Sequence, residues 1–235
     1  MYAIIETVIV ILLFFYIYTR QPKGDRVSLL TCLIGFGLGA IPAFFISFFF
    51  QFYVIGYITR FIQNPVVRMA IEYFFVVAMI EELTKYISGK LLSKKCTSRI
   101  QYIAVFASVG AGFEVFESYF QVSDLMSMLI RLLLALHICF QIYMGSFYGK
   151  GKKFLAYVIP WLIHGTFDFL LTYGGYLMGI SQNQDESLNG VAVLLGAAIG
   201  GIVLLVMSLN HASEIGKKCK RELEMQSLEN MDQQK

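Results

Sequence analysis

Charge is scarce in this chain, and proline, tryptophan and paired cysteine are scarcer still. Only 15% of the 235 residues are charged, 57% are hydrophobic, and mean hydropathy is +0.65, outside the balance of a soluble domain. That excludes water as the solvent for most of the chain and leaves no room for a separate soluble catalytic domain. The four cysteines, Cys32, Cys96, Cys139 and Cys219, form no CxxC pair, which excludes a cysteine-based zinc centre and gives no disulfide framework. The net charge of +3 comes from short basic clusters rather than a face or groove, so no nucleic-acid partner is expected. No long internal repeat is present.

What the chain has instead is long apolar runs. They fall roughly at 2–18, 28–50, 66–89, 101–121, 126–149, 154–179 and 189–209. A hydrocarbon core of ~30 Å takes about 20 apolar residues per helix, and backbone in lipid must satisfy its own hydrogen bonds, so helices are the expected form. The fold class is therefore all-α, a polytopic membrane bundle of about seven transmembrane helices.

Basic residues set the expected orientation. Arg20, Lys23 and Arg26 mark the first loop, Lys90, Lys94, Lys95 and Arg99 the third, and Lys150, Lys152 and Lys153 the fifth. Asp124 and the SQNQDES segment lie in loops poor in basic residues. By the positive-inside rule the N-terminus is outside and the C-terminus cytoplasmic. Residues 1–212 form one transmembrane domain and 213–235 a polar cytoplasmic tail. The charge-free stretch Val27–Thr59 holds Pro42 and is expected to be one helix kinked there, followed by an aromatic segment at the membrane interface.

Eight ionisable residues sit where lipid should exclude them: Glu81, Glu82, Lys85, Glu114, Glu117, His137, His164 and Asp168, on four consecutive apolar runs. A charge at mid-membrane costs ~2.5–3.5 kcal/mol on insertion scales, so such groups turn inward and toward one another. Counting ~1.5 Å per residue from the nearest basic loop puts most of them ~14–22 Å deep and Glu117 near ~27 Å. In Glu81-Glu82-Leu83-Thr84-Lys85 the lysine lies angularly between the two carboxylates. It can neutralise one and leave the other as a general base; a buried ion pair that only fixes packing is the plainer alternative.

Glu114 and Glu117 share a helix face behind Gly110-Ala111-Gly112, small residues that admit a neighbouring helix or a substrate backbone. His137, the one ionisable group in the middle of its span, suits a helix-to-helix hydrogen bond as well as catalysis. His164 and Asp168 are one turn apart, a spacing at which the acid can hold the imidazole's orientation. Gly145 with Gly149 and Gly196 with Gly200 offer further close-packing pairs. Glu6 and Glu72, nearer span ends, suit snorkelling or packing.

Taken in order, these residues resemble the PrsW family of intramembrane proteases, related to the CAAX-prenyl protease and bacteriocin-processing superfamily. The family's EExxK motif is met by Glu81, Glu82 and Lys85, and FxxxE by Phe113 and Glu117, which favours Glu117 over Glu114 as the family's acid and keeps Glu114 as an additional candidate. A histidine on the next helix is met by His137, and HxxxD by His164 and Asp168. An asparagine often follows the second-motif acid, where this chain has Ser118.

The resemblance implies a glutamic-type peptidase that cuts single-span membrane proteins, an anti-sigma factor among them, in the bacterial cytoplasmic membrane. Glu81 or Glu82 would activate water, Glu117 and His137 would position it, His164 would serve the oxyanion and Asp168 would orient His164. No cofactor is expected. Zinc is less favoured because the HExxH spacing is lacking and Lys85 already supplies a positive charge. A proton-coupled transporter or receptor could use the same acids and histidines, and a non-catalytic immunity-type protein could use them for packing alone.

Overall fold

A computed structural model describes residues 1–58, 60–121, 136–180 and 184–232. Asp124, the beginning of the fifth apolar run and the SQN of the SQNQDES segment lie outside the described residues. Among the described residues the chain is helical, without strands.

Helix α1 is Tyr2–Thr19. Ser28, accepting from the Thr31 amide at 3.1 Å, caps α2 (Leu29–Leu38), as serine does at N-caps. At Gly39–Ala43 a π-helical turn absorbs Pro42, and the column runs on as α3 (Phe44–Ile58). The aromatic segment expected at the interface is thus a continuation of the helix, because a π turn accommodates the proline without ending the column.

The next column opens with α4 (Pro65–Ile71), where Asn64 Oδ1 accepts from the Val66 and Val67 amides and Pro65 starts the first turn. A π-helical stretch, Glu72–Ala78, joins it to α5 (Met79–Leu92). A short 3₁₀ turn, Ser93–Lys95, leads to α6 (Arg99–Gln121). The last three helices are α7 (Leu136–Gly149), α8 (Lys153–Ile180) and α9 (Gln184–Asp232). Gly151, at φ +74°, makes the α7–α8 turn, a backbone conformation that costs glycine nothing.

Five of these helical columns are long and apolar enough to cross a membrane: Tyr2–Thr19, Leu29–Tyr57, Arg99–Gln121, Lys153–Gly179 and Ser187–Met231. The α4–α5 column carries Arg68, Glu72, Glu81, Glu82, Lys85 and Lys90, and α7 has 14 described residues. The polar segment expected as a tail is the C-terminal part of α9.

Helix α6 is the centre of the bundle, with every residue from Ile103 to Val115 buried and α1, α2, α5, α7 and α9 packed around it. Small residues let the neighbours in. A Cβ at Gly112 would run into the backbone of Phe36, one at Gly110 into the His137 carbonyl, and one at Gly145 into the Tyr102 backbone, so α2 and α7 approach α6 at backbone distance. Gly196 faces open space and Gly200 makes only ordinary contact with Phe167, so the close packing expected of that pair does not occur.

The bundle's periphery is apolar, with Leu12, Leu30, Phe52, Tyr53 and Leu195 exposed. Its interior holds Glu6, Glu81, Glu82, Lys85, Glu114, Glu117, His137 and His164, all buried. An apolar outside around a charged inside is the arrangement lipid favours.

Candidate active site

The site begins with the π-helical stretch ahead of α5. Helix α8 reaches two carbonyls in and next to this stretch: Trp161 Nε1 donates to the Phe74 carbonyl, and Tyr157 Oη to the Met79 carbonyl at 3.0 Å. Backbone acceptors in an apolar setting need such partners. These two bonds lock α5 against α8, so that Glu81 and Glu82 face His164.

Lys85 is the hub. Its ammonium lies 2.8 Å from Glu82 Oε1, 3.3 Å from Glu81 Oε2 and 2.8 Å from His137 Nδ1. Those three contacts use all three of its donors. Its Nζ also lies 3.9 Å from the centroid of the Phe113 ring, a cation–π contact.

Donor and acceptor roles follow outward from Lys85. An ammonium can only donate, so His137 Nδ1 accepts and its proton sits on Nε2, which donates to Glu117 Oε2 at 2.8 Å. The backbone N–H of His137 donates to Glu114 Oε2 at 3.2 Å. Glu82 has both oxygens engaged: Oε1 takes Lys85 and His164 Nδ1 (3.0 Å), and Oε2 takes Gln141 Nε2 (2.8 Å). His164 Nε2 lies 3.1 Å from Asp168 Oδ2, so each nitrogen of this ring faces a carboxylate and is placed to donate. The His164 ring stacks on Phe140, with centroids 5.1 Å apart.

All eight sequence-selected residues are thereby brought together. Three glutamines, Gln51, Gln121 and Gln141, hold carboxylates, with Gln121 Nε2 donating to Glu117 Oε1 at 2.7 Å. Gln51 Nε2 donates to Glu81 Oε1 at 3.0 Å from α3; its signal in the sequence was an amide alone in the run FFFQFYVIG. Glu6 joins the interior as well, accepting from Ser118 Oγ at 2.7 Å. Ser118 also reaches the Glu114 carbonyl at 2.7 Å, which ties α1 to α6.

A cavity of about 460 Å³ adjoins the cluster. Glu81, Glu114, Glu117, His137, His164 and Asp168 line it, whereas Glu82 and Lys85 lie behind its wall. It extends past Gln121, Ile55 and Thr172, toward the end of the bundle remote from the lysine-rich turns.

Glu81, His137 and His164 each offer a ligand atom, all within 4.8 Å of one another, near enough for a metal ion to draw together. By lone pairs the set does not fit as arranged. His137 presents Nε2–H because Lys85 occupies its Nδ1, and His164 has a carboxylate at each nitrogen. A metal-bound imidazole instead offers a bare nitrogen to the ion and donates its other N–H to an acceptor.

The fold and this site define a class: a multi-pass helical membrane protein whose buried acids and histidines open on an internal cavity. Residues 27–200 match the family model described as PrsW family intramembrane metalloprotease. That stretch is well over half of the chain, and the chain belongs to the PrsW family, a family of intramembrane proteases. Neither the curated proteins nor the solved structures gave a match.

Proposed function

We propose that this protein is an intramembrane endopeptidase that hydrolyses membrane-anchored protein substrates with a glutamate-activated water. The observation that carries this reading is the pairing of Glu81 with the cavity. Glu81 lines it with Oε2 3.3 Å from Lys85, and His137 Nε2 and His164 Nε2 stand 4.0 and 3.9 Å from that oxygen, close enough for one water in the gap at the cavity face to reach all three.

In this mechanism Glu81 takes a proton from water in the gap, as a base within hydrogen-bond reach. Its competitor Glu82 has both oxygens engaged and no face on the cavity, which favours Glu82 as the group that holds Lys85 and His164. Glu117 orients His137, and their N–H···O pair borders the water. His164 keeps Nδ1–H on Glu82 and turns its Nε2–H from Asp168, which lines the cavity beside it, to the oxyanion as the carbonyl becomes tetrahedral. Glu81 then returns its proton to the leaving amine. Glu117 is favoured over Glu114 as the second-motif acid because it bonds the ring of His137, whereas Glu114 bonds only its backbone.

The proposal extends to seven membrane crossings with a cytoplasmic C-terminus, to a bacterial cytoplasmic membrane, and to single-span substrates of the anti-sigma type. A second reading, a metalloprotease with Glu81, His137 and His164 as ligands, is favoured by their convergence. It requires Lys85 to leave His137. The test of the proposal is reconstitution of purified protein with single-span substrates. Wild type should release two fragments and Glu81→Gln none; equal cleavage by both would overturn it.

A further inference from the structure

At the opposite end of the bundle from the cavity of the active site, two basic turns meet. Lys90 near the end of α5, Ser93 and Lys94 in the turn that follows, Tyr102 on α6, Tyr148 on α7 and Lys153 at the start of α8 line a second cavity of about 360 Å³. No acidic residue occurs from Leu83 to Phe113 or from Leu125 to Phe167. Among the described residues, no carboxylate pairs with Lys90, Lys94 or Lys153.

Nearby Lys150 sits below the ordinary lysine range, chiefly through Arg99, with smaller effects from burial, Lys152 and Lys218, which marks a positive field at this end of the molecule. The N-terminus of α8 adds its own partial positive charge at the pocket's rim. The floor is aromatic: the Tyr102 and Tyr148 rings lie 5.6 Å apart, and Lys153 Nζ lies 5.9 Å from the Tyr148 centroid.

We infer that this pocket binds the phosphate-bearing headgroup of an anionic membrane lipid. Three unpaired ammonium groups call for an anion, and the surroundings say which kind. Leu91 and Phe154, each next in sequence to a pocket lysine, are 57% and 75% exposed, forming an apolar collar that a free anion cannot use and acyl chains can. Basic pockets at the mouths of transmembrane helices recognise headgroups in this way. Position gives the site a consequence. Lys90 is on the same helix as Glu81, and Lys153 on the same helix as His164, so one bound headgroup ties together the two helices that face each other across the cluster.

The experiment is native mass spectrometry of the full-length protein in neutral detergent, titrated separately with phosphatidylglycerol, phosphatidylcholine and inorganic phosphate. Wild type should retain one phosphatidylglycerol in preference to phosphatidylcholine. Each lysine removed should weaken it about fivefold, so Lys90→Gln with Lys153→Gln should weaken it about twenty-five-fold. The pair Lys90→Arg and Lys153→Arg should bind like wild type, as should Lys220→Gln, outside the pocket. Undiminished lipid binding in the glutamine pair would overturn the site, and displacement of lipid by an equal concentration of phosphate would overturn the lipid assignment. Wild-type protein labelled with a photoactivatable anionic lipid gives a readout free of any folding defect. Labels in peptides holding residues 90–94 and 148–153 support the site; labels confined to other peptides overturn it.

Discussion

Lys85 Nζ lies 2.8 Å from His137 Nδ1, and this contact between an ammonium and an imidazole fixes the polarity of the whole centre. A lysine that only neutralised Glu82 would have no need of the histidine. Removing it leaves buried carboxylates uncompensated, at a cost of ~3–5 kcal/mol, and frees His137 to place its proton on either nitrogen. Lys85→Met should therefore lose both thermal stability in detergent and cleavage. Lys85→Arg should recover much of the stability but little of the activity, because a planar fork cannot reproduce three donors from one nitrogen. Equal recovery of both would reduce the lysine to a counter-ion.

The two carboxylates of the EExxK motif should separate by kind of defect. Glu81→Gln keeps size and hydrogen bonding to Gln51 but removes the base, so cleavage should fall ~10²- to 10⁴-fold with insertion and melting temperature near wild type. Glu82→Gln should cripple cleavage too, with a loss of thermal stability, since Glu82 accepts from Lys85, His164 and Gln141. His164→Ala should cost at least ~10²-fold as an oxyanion donor. Glu6→Gln, whose amide oxygen can still accept from Ser118, should cleave normally. Full activity in well-inserted Glu81→Gln and His164→Ala would remove the catalytic reading.

The residues of this centre were legible in the sequence because lipid makes an internal charge conspicuous, and helical spacing then put Lys85 with Glu81 and Glu82, and His164 with Asp168, on shared faces. What periodicity does not encode is geometry between helices. The π-helical stretch Glu72–Ala78 has no composition that distinguishes it from α-helix, yet its neighbourhood supplies the carbonyls that seat Trp161 and Tyr157. Gln51 was hidden by the aromatic run around it, which reads as interfacial when taken alone and is helix α3 in the fold. Gly145 and Gly196 are each followed by another glycine four residues on, and only the first packs tightly; the spacing permits close approach without selecting the partner.

Orientation rests on the basic loops and can be read chemically. All four native cysteines are buried, so an impermeant thiol reagent should find only introduced ones. In intact cells Ser187→Cys should label from outside and Ser227→Cys only after permeabilisation. The reverse pattern, with the N-terminus outside, would overturn the count of crossings.

The last prediction concerns metal. The ligand atoms of Glu81, His137 and His164 lie within 4.8 Å of one another, so distance alone admits an ion with an open position for water. Proton placement opposes it: Lys85 spends one N–H on His137, and His164 stands between Glu82 and Asp168. An ion would also meet the Lys85 ammonium, 3.3 Å from the carboxylate oxygen it would have to share. Hydrolysis should therefore survive exhaustive treatment with a strong chelator, at the untreated rate and with no stoichiometric metal by elemental analysis of the same sample. The Lys85→Met variant supplies a second readout independent of activity. If the lysine is what excludes an ion, that variant should bind zinc measurably in a fluorescent-chelator competition while wild type does not. Loss of wild-type cleavage on chelation, restored by one equivalent of zinc, would reassign Glu81, His137 and His164 as ligands and defeat the glutamate mechanism.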